Sequence, residues 1–200
     1  MRFIKWSIIT VFWLSVGSVL YYSLPQRDIV QIKGTEILRA DLSGWNRVFY
    51  AQSDSGNDAT LQNRDLRLIN TRTARERPYV FRNEDTGFGW PFYFKLDSSN
   101  LQAEAQSVER DEWYAVTHYG LRSEFLSIYP NAISIKRVTG PDVQLIPWFN
   151  IVFLTILAAV FWAVWVRWRR FRVAKIDPLW DEVDESLDGT RTRIRGWLGR

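Results

Sequence analysis

Two stretches of the chain carry no charged residue: residues 6–24, a run of 19, and residues 143–166, a run of 24. A hydrocarbon core of ~30 Å is crossed by about 20 helical residues rising ~1.5 Å each. Each run therefore predicts a membrane-spanning helix, the first over residues 6–24 and the second over residues 147–166. Pro147 falls where a helix start has no use for an N–H, and Trp148 beside it suits a membrane interface. Tyr21 and Tyr22 close the first run with the same amphipathic chemistry.

Between the runs the pattern turns from continuous to alternating, the signature of half-buried strands. IVQIKGTEILRADL alternates near Ile29 to Ile37, and RVFYAQ and LRLINTRT continue the strand-like text. In FYFKLD, Phe92, Phe94 and Leu96 share one face while Tyr93, Lys95 and Asp97 share the other, which predicts a half-buried strand. Gly87, Gly89 and Pro91 around Trp90 are turn chemistry. Asp97, Ser98 or Ser99 is placed to cap a short helix whose Leu101, Ala105 and Val108 share a face. WYAVTHYG alternates again, and a Tyr129-Pro130-Asn131 turn leads into a strand near Ala132 to Val138. The sum is a membrane-anchored α+β chain. Two transmembrane helices flank a small antiparallel β-barrel or sandwich, oligonucleotide-binding-like, over residues 27–142, with one short helix.

Charge then orients the chain. The formal net charge is +4, yet residues 27–142 hold 15 basic and 16 acidic groups and are close to neutral. The surplus sits in residues 1–5, with Arg2 and Lys5, and after the second span, with Arg167, Arg169, Arg170, Arg172 and Lys175. Lys and Arg beside spans favour the cytoplasmic side. Both termini are thus expected in the cytoplasm and the central domain on the opposite side, with the lipid bilayer as the first partner. The alternation of Arg with Trp and Phe in FWAVWVRWRRFR reads as a helix end meeting headgroups, so no nucleic-acid partner is expected.

MRFIK before the first run also fits the start of a secretory signal. The run is longer than the usual ~7–15 residues of a signal core, and it ends in YYSLPQ without a small-residue cleavage site. An uncleaved anchor is the favoured reading. Residues 167–200 form a basic collar and an amphipathic tail, in which Asp177 caps a helix, Pro178 opens it and Gly189 stops it. Leu179, Trp180, Val183 and Leu187 make its apolar stripe; TRTRIRGWLGR then suits anionic headgroups or the acidic helix itself.

Candidate chemistry is sparse. With no cysteine and one histidine, the chain has no thiolate site and no His/Cys metal cluster. QSDSGND lacks the oxygen spacing of a calcium loop and reads as a hairpin loop. Neither a metal nor a cofactor is expected, and no catalytic residue is assigned. The residues with some claim to ligand or partner contact are Glu84, Asp85, Trp90, Tyr93, His118 and Arg122. Trp90 and Tyr93 are candidates for a stacking platform beside Glu84 and Asp85, with turn and core roles as the plainer reading. Adjacent carboxylates on a strand point to opposite faces, which suits turn and cap bonding better than acid–base cooperation. His118 shares a face with Tyr114 and Val116 and reads as structural, a general base being the alternative. Arg122 suits an anion or a local pair with Glu124 or Glu84. Asn150 and Thr155, polar within the second span, bond either a neighbouring helix or their own backbone.

FRNEDTGFGWPFYFKLDSSNLQAEA, VTHYGLRSEFLSIYPNAISI and GPDVQLIPWFNIV together resemble a bacterial family of two-span membrane proteins of unknown function. The likeness runs from the first span to the second; it implies architecture and envelope location and carries over no catalytic residue. The leading functional expectation is a non-enzymatic periplasmic binding or scaffold domain with an envelope protein partner. A membrane sensor for a small ligand and an envelope hydrolase using His118 are the alternatives. Oligomeric state is not legible in the sequence.

Overall fold

The computed structural model describes residues 2–41 and 63–178. The segments RVFYAQ and QSDSGND, and the amphipathic tail beyond Pro178, lie outside the described residues. The chain divides into two units, Met1–Pro147 and Trp148–Arg200.

The first unit opens with α1, Arg2–Ser23. No residue of its apolar window is buried, and it is long and apolar enough to cross a membrane. Its hydroxyls turn back on the helix: Ser15 Oγ donates to Val11 O at 2.9 Å and Ser18 Oγ to Leu14 O at 2.8 Å. After Leu24 and Pro25 the chain runs straight into β1, Gln26–Asp41, followed by β2, Asn63–Thr73, and β3, Pro78–Arg82. Helix α2, Ser98–Ser107, precedes β4, Trp113–Tyr119, and β5, Asn131–Val138.

The five strands close into a barrel in the order β1-β2-β3-β5-β4, β4 returning to β1. Closure depends on β1 serving two neighbours. Residues 26–30 pair with β4 and residues 30–41 with β2, and within the β2 pairing the extra residue Lys33 beside Gly34 shifts the register. An inserted residue bends its strand and increases its twist. The other irregularity is Ile133, left over where Thr117 pairs with Ser134 and His118 with Ala132.

The interior is packed with the inward alternates: Val30, Ile32, Ile69, Phe81, Tyr114, Val116, Ala132 and Ile135. Leu101 and Ala105 of α2, with Val108, join the same core, as the shared helical face predicts. Asp97 is the cap, its carboxylate accepting from Asn100 N at 3.2 Å. Leu66 and Leu68 form a second cluster with Val80 and Tyr129.

Three expectations are corrected. The barrel is not wholly antiparallel, because β3 meets β5 in parallel at Arg82 and Asn131. The fourth strand expected at FYFKLD is an extended loop; Phe94 there has φ +50°, outside any strand conformation. PYVFR supplies the missing strand as β3. The turn near Pro130 lies earlier, where Ser123 and Ile128 exchange backbone hydrogen bonds at 3.0 and 2.9 Å.

The second unit holds α3, Trp148–Phe171, which starts directly after Pro147 and has no buried residue. The helix does not stop at Val166. It carries Arg167, Arg169 and Arg170 within it, and a wider π-helical turn, Arg172–Ile176, takes Arg172 and Lys175 onward. Thr155 Oγ donates to Ile151 O at 2.7 Å, so this hydroxyl is satisfied by its own helix.

Candidate functional site

The chemically rich residues gather where α1 enters the barrel. Gly120 N–H donates to Tyr22 O at 3.0 Å, and the Tyr22 ring meets Tyr119 edge-on at 6.1 Å. Gly120 holds φ +101°, a region that favours glycine, with Pro130 Cα 3.6 Å and the Tyr22 ring 3.8 Å from where a Cβ would stand. Tyr93 stacks on Tyr119 at 5.0 Å and donates its hydroxyl to Ser23 O. The end of the apolar helix is thereby joined to the end of β4 at Tyr119 and Gly120 and to the loop that carries Tyr93. Burial holds the Tyr93 phenol far above its ordinary pKa, with the Tyr119 phenol adding to the shift, so it stays a proton donor.

His118 lies in the barrel wall, 2% exposed, with its ring 5.1 Å from Phe81 and 6.4 Å from Tyr79. Its Nε2 lies 3.0 Å from the Asp28 carboxylate, across the β1–β4 seam. Its Nδ1 is buried without a hydrogen-bond partner among the described residues. The contact with Asp28 and the packing beside Phe81 tie the imidazole to the barrel wall. Tyr79 completes the group. Arg122 lies over its ring, Cζ 4.0 Å from the centroid, and donates to Glu124 at 2.7 Å. Burial, reinforced by the Asp28 carboxylate and opposed by Arg122, pushes the Tyr79 phenol up to about 12. Arg122 thus takes the local pair with Glu124, not Glu84.

Glu84 and Asp85 belong to a different cluster, a polar network between the barrel and α2. Glu84 is buried and pairs with buried Arg82 at 3.3 Å. Asp85 accepts from Ser98 N at 2.8 Å and Ser98 Oγ at 2.9 Å, holding the start of α2. Asn83 donates to Ser98 O at 2.7 Å and Gln102 Oε1 at 2.9 Å. Asn131 accepts from Glu84 N and donates to Glu84 O, both at 3.0 Å. Lys95 reaches in from the loop: Nζ donates to Asn83 Oδ1 at 2.6 Å and Ala132 O at 2.7 Å. Burial brings its pKa down to about 8, against the pull of Asp85 and Glu84. The adjacent carboxylates therefore do separate work, one in an ion pair and one at a helix cap.

Trp90 and Tyr93 do not form a common platform. Trp90 is exposed and meets Phe92 edge-on at 5.2 Å, whereas Tyr93 turns inward to Tyr119 and Ser23. The structure adds Asp28, Tyr79, Arg82, Asn83, Lys95, Tyr119 and Asn131 to the candidate residues. Asp28 meets His118 only through strand pairing 90 residues apart, which no local motif encodes. Lys95 carries a signal, since it alternates with Phe92 and Phe94, but the alternation does not say which face turns inward.

The comparisons agree with this picture of architecture without an assigned chemistry. Residues 1–172 match the family described as "Protein of unknown function (DUF1523)". An "Uncharacterized protein" of Haemophilus influenzae is 36% identical over 170 residues, 82% of this chain and 92% of that protein. No solved structure matches the chain. An expected family of unknown function is thus the family found: with its profile matched from the first apolar helix through the second, the chain belongs to the DUF1523 family.

Proposed function

We propose that the chain is a two-span inner-membrane protein that presents its barrel on the periplasmic side as a non-enzymatic binding or scaffold domain. The observation that carries this reading is that α1 and α3, each apolar over a membrane's width, bury no residue of their apolar windows. In water such surfaces would associate or aggregate; in hydrocarbon they need no partner. The basic residues at Arg2 and Lys5 and from Arg167 to Lys175 lie where positive-inside orientation wants them. The barrel, closed in the order β1-β2-β3-β5-β4 with α2 between β3 and β4, is oligonucleotide-binding-like. That architecture serves binding in many unrelated contexts, so the envelope partner is a protein surface here, not a nucleic acid.

Reporter fusions test the proposal. An enzyme active only in the periplasm, inserted within residues 52–58, is expected to be active, and the same reporter after Arg200 silent. The reverse pattern overturns the orientation; activity at both positions overturns the second span. Crosslinked copurification from membranes then identifies the protein held by the barrel.

A further inference from the structure

The loop of residues 86–94, TGFGWPFYF, has no charged residue, and it exposes its phenylalanine and tryptophan rings. Phe88, Trp90, Phe92, Phe94 and Leu96 are 79%, 58%, 59%, 56% and 66% exposed. The polar members of the alternation go inward instead, Tyr93 to Tyr119 and Lys95 to Asn83 and Ala132. This reverses the usual arrangement, in which a lysine stays in water and phenylalanines fill a core. The rings form one patch: Phe88 to Phe94 at 5.8 Å, Trp90 to Phe92 at 5.2 Å, Phe92 to Phe94 at 6.3 Å. Phe94 keeps its outward direction at φ +50°, where a residue with a Cβ is strained.

The position of the patch identifies its occupant. Tyr93, between two of the exposed phenylalanines, is hydrogen-bonded to Ser23, the last residue of α1. The patch therefore lies beside the point where the first span leaves the bilayer. Trp and Phe without charges match the composition of interfacial anchors, whereas a protein-docking patch is ordinarily rimmed with polar groups. Resting on the membrane-anchored reading above, we propose that residues 88–96 dip into the outer leaflet of the membrane that α1 crosses. The loop acts as a third membrane contact and fixes the tilt of the barrel over the lipid surface.

The absence of cysteine makes single-site labelling clean in the full chain. Phe12→Cys, Ile37→Cys, Phe92→Cys and Phe94→Cys variants, each carrying an environment-sensitive fluorophore, are reconstituted into vesicles of acyl-brominated phosphatidylcholine and phosphatidylglycerol. Interfacial apolar groups settle ~5–10 Å into the headgroup and acyl boundary. Labels at 92 and 94 are thus expected to lose about half their emission to brominated lipid and to resist aqueous iodide. The label at Ile37, exposed on the far part of β1, should respond only to iodide. Quenching at 92 and 94 by iodide alone overturns the inference, as does shielding from both quenchers, the mark of a protein occupant. Phe12 separates the two levels of the argument. Lipid quenching at Phe12 without any at 92 and 94 overturns the loop contact alone, and none at Phe12 overturns the span together with it.

Discussion

The hydroxyl of Tyr93 donates to the backbone carbonyl of Ser23, so a loop 70 residues away holds the last residue of the first apolar helix. The bond sits on a Tyr93–Tyr119 stack, and Tyr119 in turn packs against Tyr22. Helix and barrel are one structural unit at this joint. The last residues of α1 are part of the domain they tether.

Tyr93→Phe should isolate the bond from the stack. The ring keeps its place on Tyr119 while Ser23 O loses its donor, a change worth ~0.5–1.5 kcal/mol. Thermal unfolding of the full chain in detergent should show a midpoint lower by a few degrees. A larger effect is expected from Tyr93→Ala, which removes ring and bond together by ~3–5 kcal/mol. Equal midpoints for Tyr93→Phe and the unaltered chain would remove the joint's hydrogen bond from the account.

Lys95 should leave a signature in the pH dependence of stability. Its folded pKa is about 8, below the 10.5 of the free side chain, because burial opposes the ammonium. Between those two values the unfolded chain binds a proton that the folded chain has released. Stability therefore rises with pH across that window, and the penalty for burying the charge is fully present below about 8. The shift corresponds to about 3 kcal/mol. Denaturant midpoints of the unaltered chain and Lys95→Met, compared from pH 7 to 10, should move in favour of the unaltered chain as pH rises. A constant difference would mean that Nζ keeps its ordinary pKa.

How much of this was readable before folding depends on the range of the interaction. The apolar helices, the strands of IVQIK, LRLINTRT and WYAVTHYG, and a helix cap among Asp97, Ser98 and Ser99 are local patterns; the elements appear there, α3 running on to Phe171, and Asp97 is the cap. FYFKLD is different. Its alternation is real, but period-two patterning says only that two faces differ, not which one meets the core. A lysine turned inward requires Asn83 and Ala132 to receive it, and those partners lie 12 and 37 residues away. The His118–Asp28 contact and the parallel step from β3 to β5 depend likewise on closure of the barrel, which no single segment records.

His118 should behave as a structural residue. His118→Ala removes a buried ring packed beside Phe81 and is expected to lose ~2–4 kcal/mol, with membrane accumulation falling in step. Asp28→Ala, at a half-exposed partner, should lose under about 1 kcal/mol. Loss of a cellular phenotype in His118→Ala at unchanged accumulation and stability would instead favour a hydrolase.

The buried Arg82–Glu84 pair makes a sharper case, since both side chains are nearly inaccessible. Glu84→Gln removes one charge of a buried ion pair, a change that typically costs ~3–5 kcal/mol. Replacing both, as Arg82→Met with Glu84→Gln, removes both charges and should recover part of the loss. Chemical denaturation of the single and double variants gives the coupling directly, and additive effects would show that the two groups act independently.

The basic collar of α3 makes a prediction about the whole molecule. Arg167, Arg169 and Arg170 continue the helix past its uncharged run, and Arg172 and Lys175 follow within the π-helical turn. If these charges hold that end in the cytoplasm, removing them weakens the orientation in proportion to the number lost, because the bias depends on the count of Lys and Arg near the span. Replacing Arg167, Arg169, Arg170 and Arg172 with Asn should lower the activity of a periplasmic reporter inserted within residues 52–58. It should also raise the activity of one fused after Arg200. Moving four arginines to the other side of the second span, between Gly140 and Pro147, should strengthen both changes. In the chain whose four arginines are replaced by Asn without relocation, Lys175, Arg2 and Lys5 are the basic residues left beside the spans, so neutralising these three as well is expected to make the population of the two orientations nearly even. Unchanged reporter activities in the fully neutralised chain would show that the barrel, folding on one side and joined to α1 through Ser23 and Tyr22, sets the topology without help from charge.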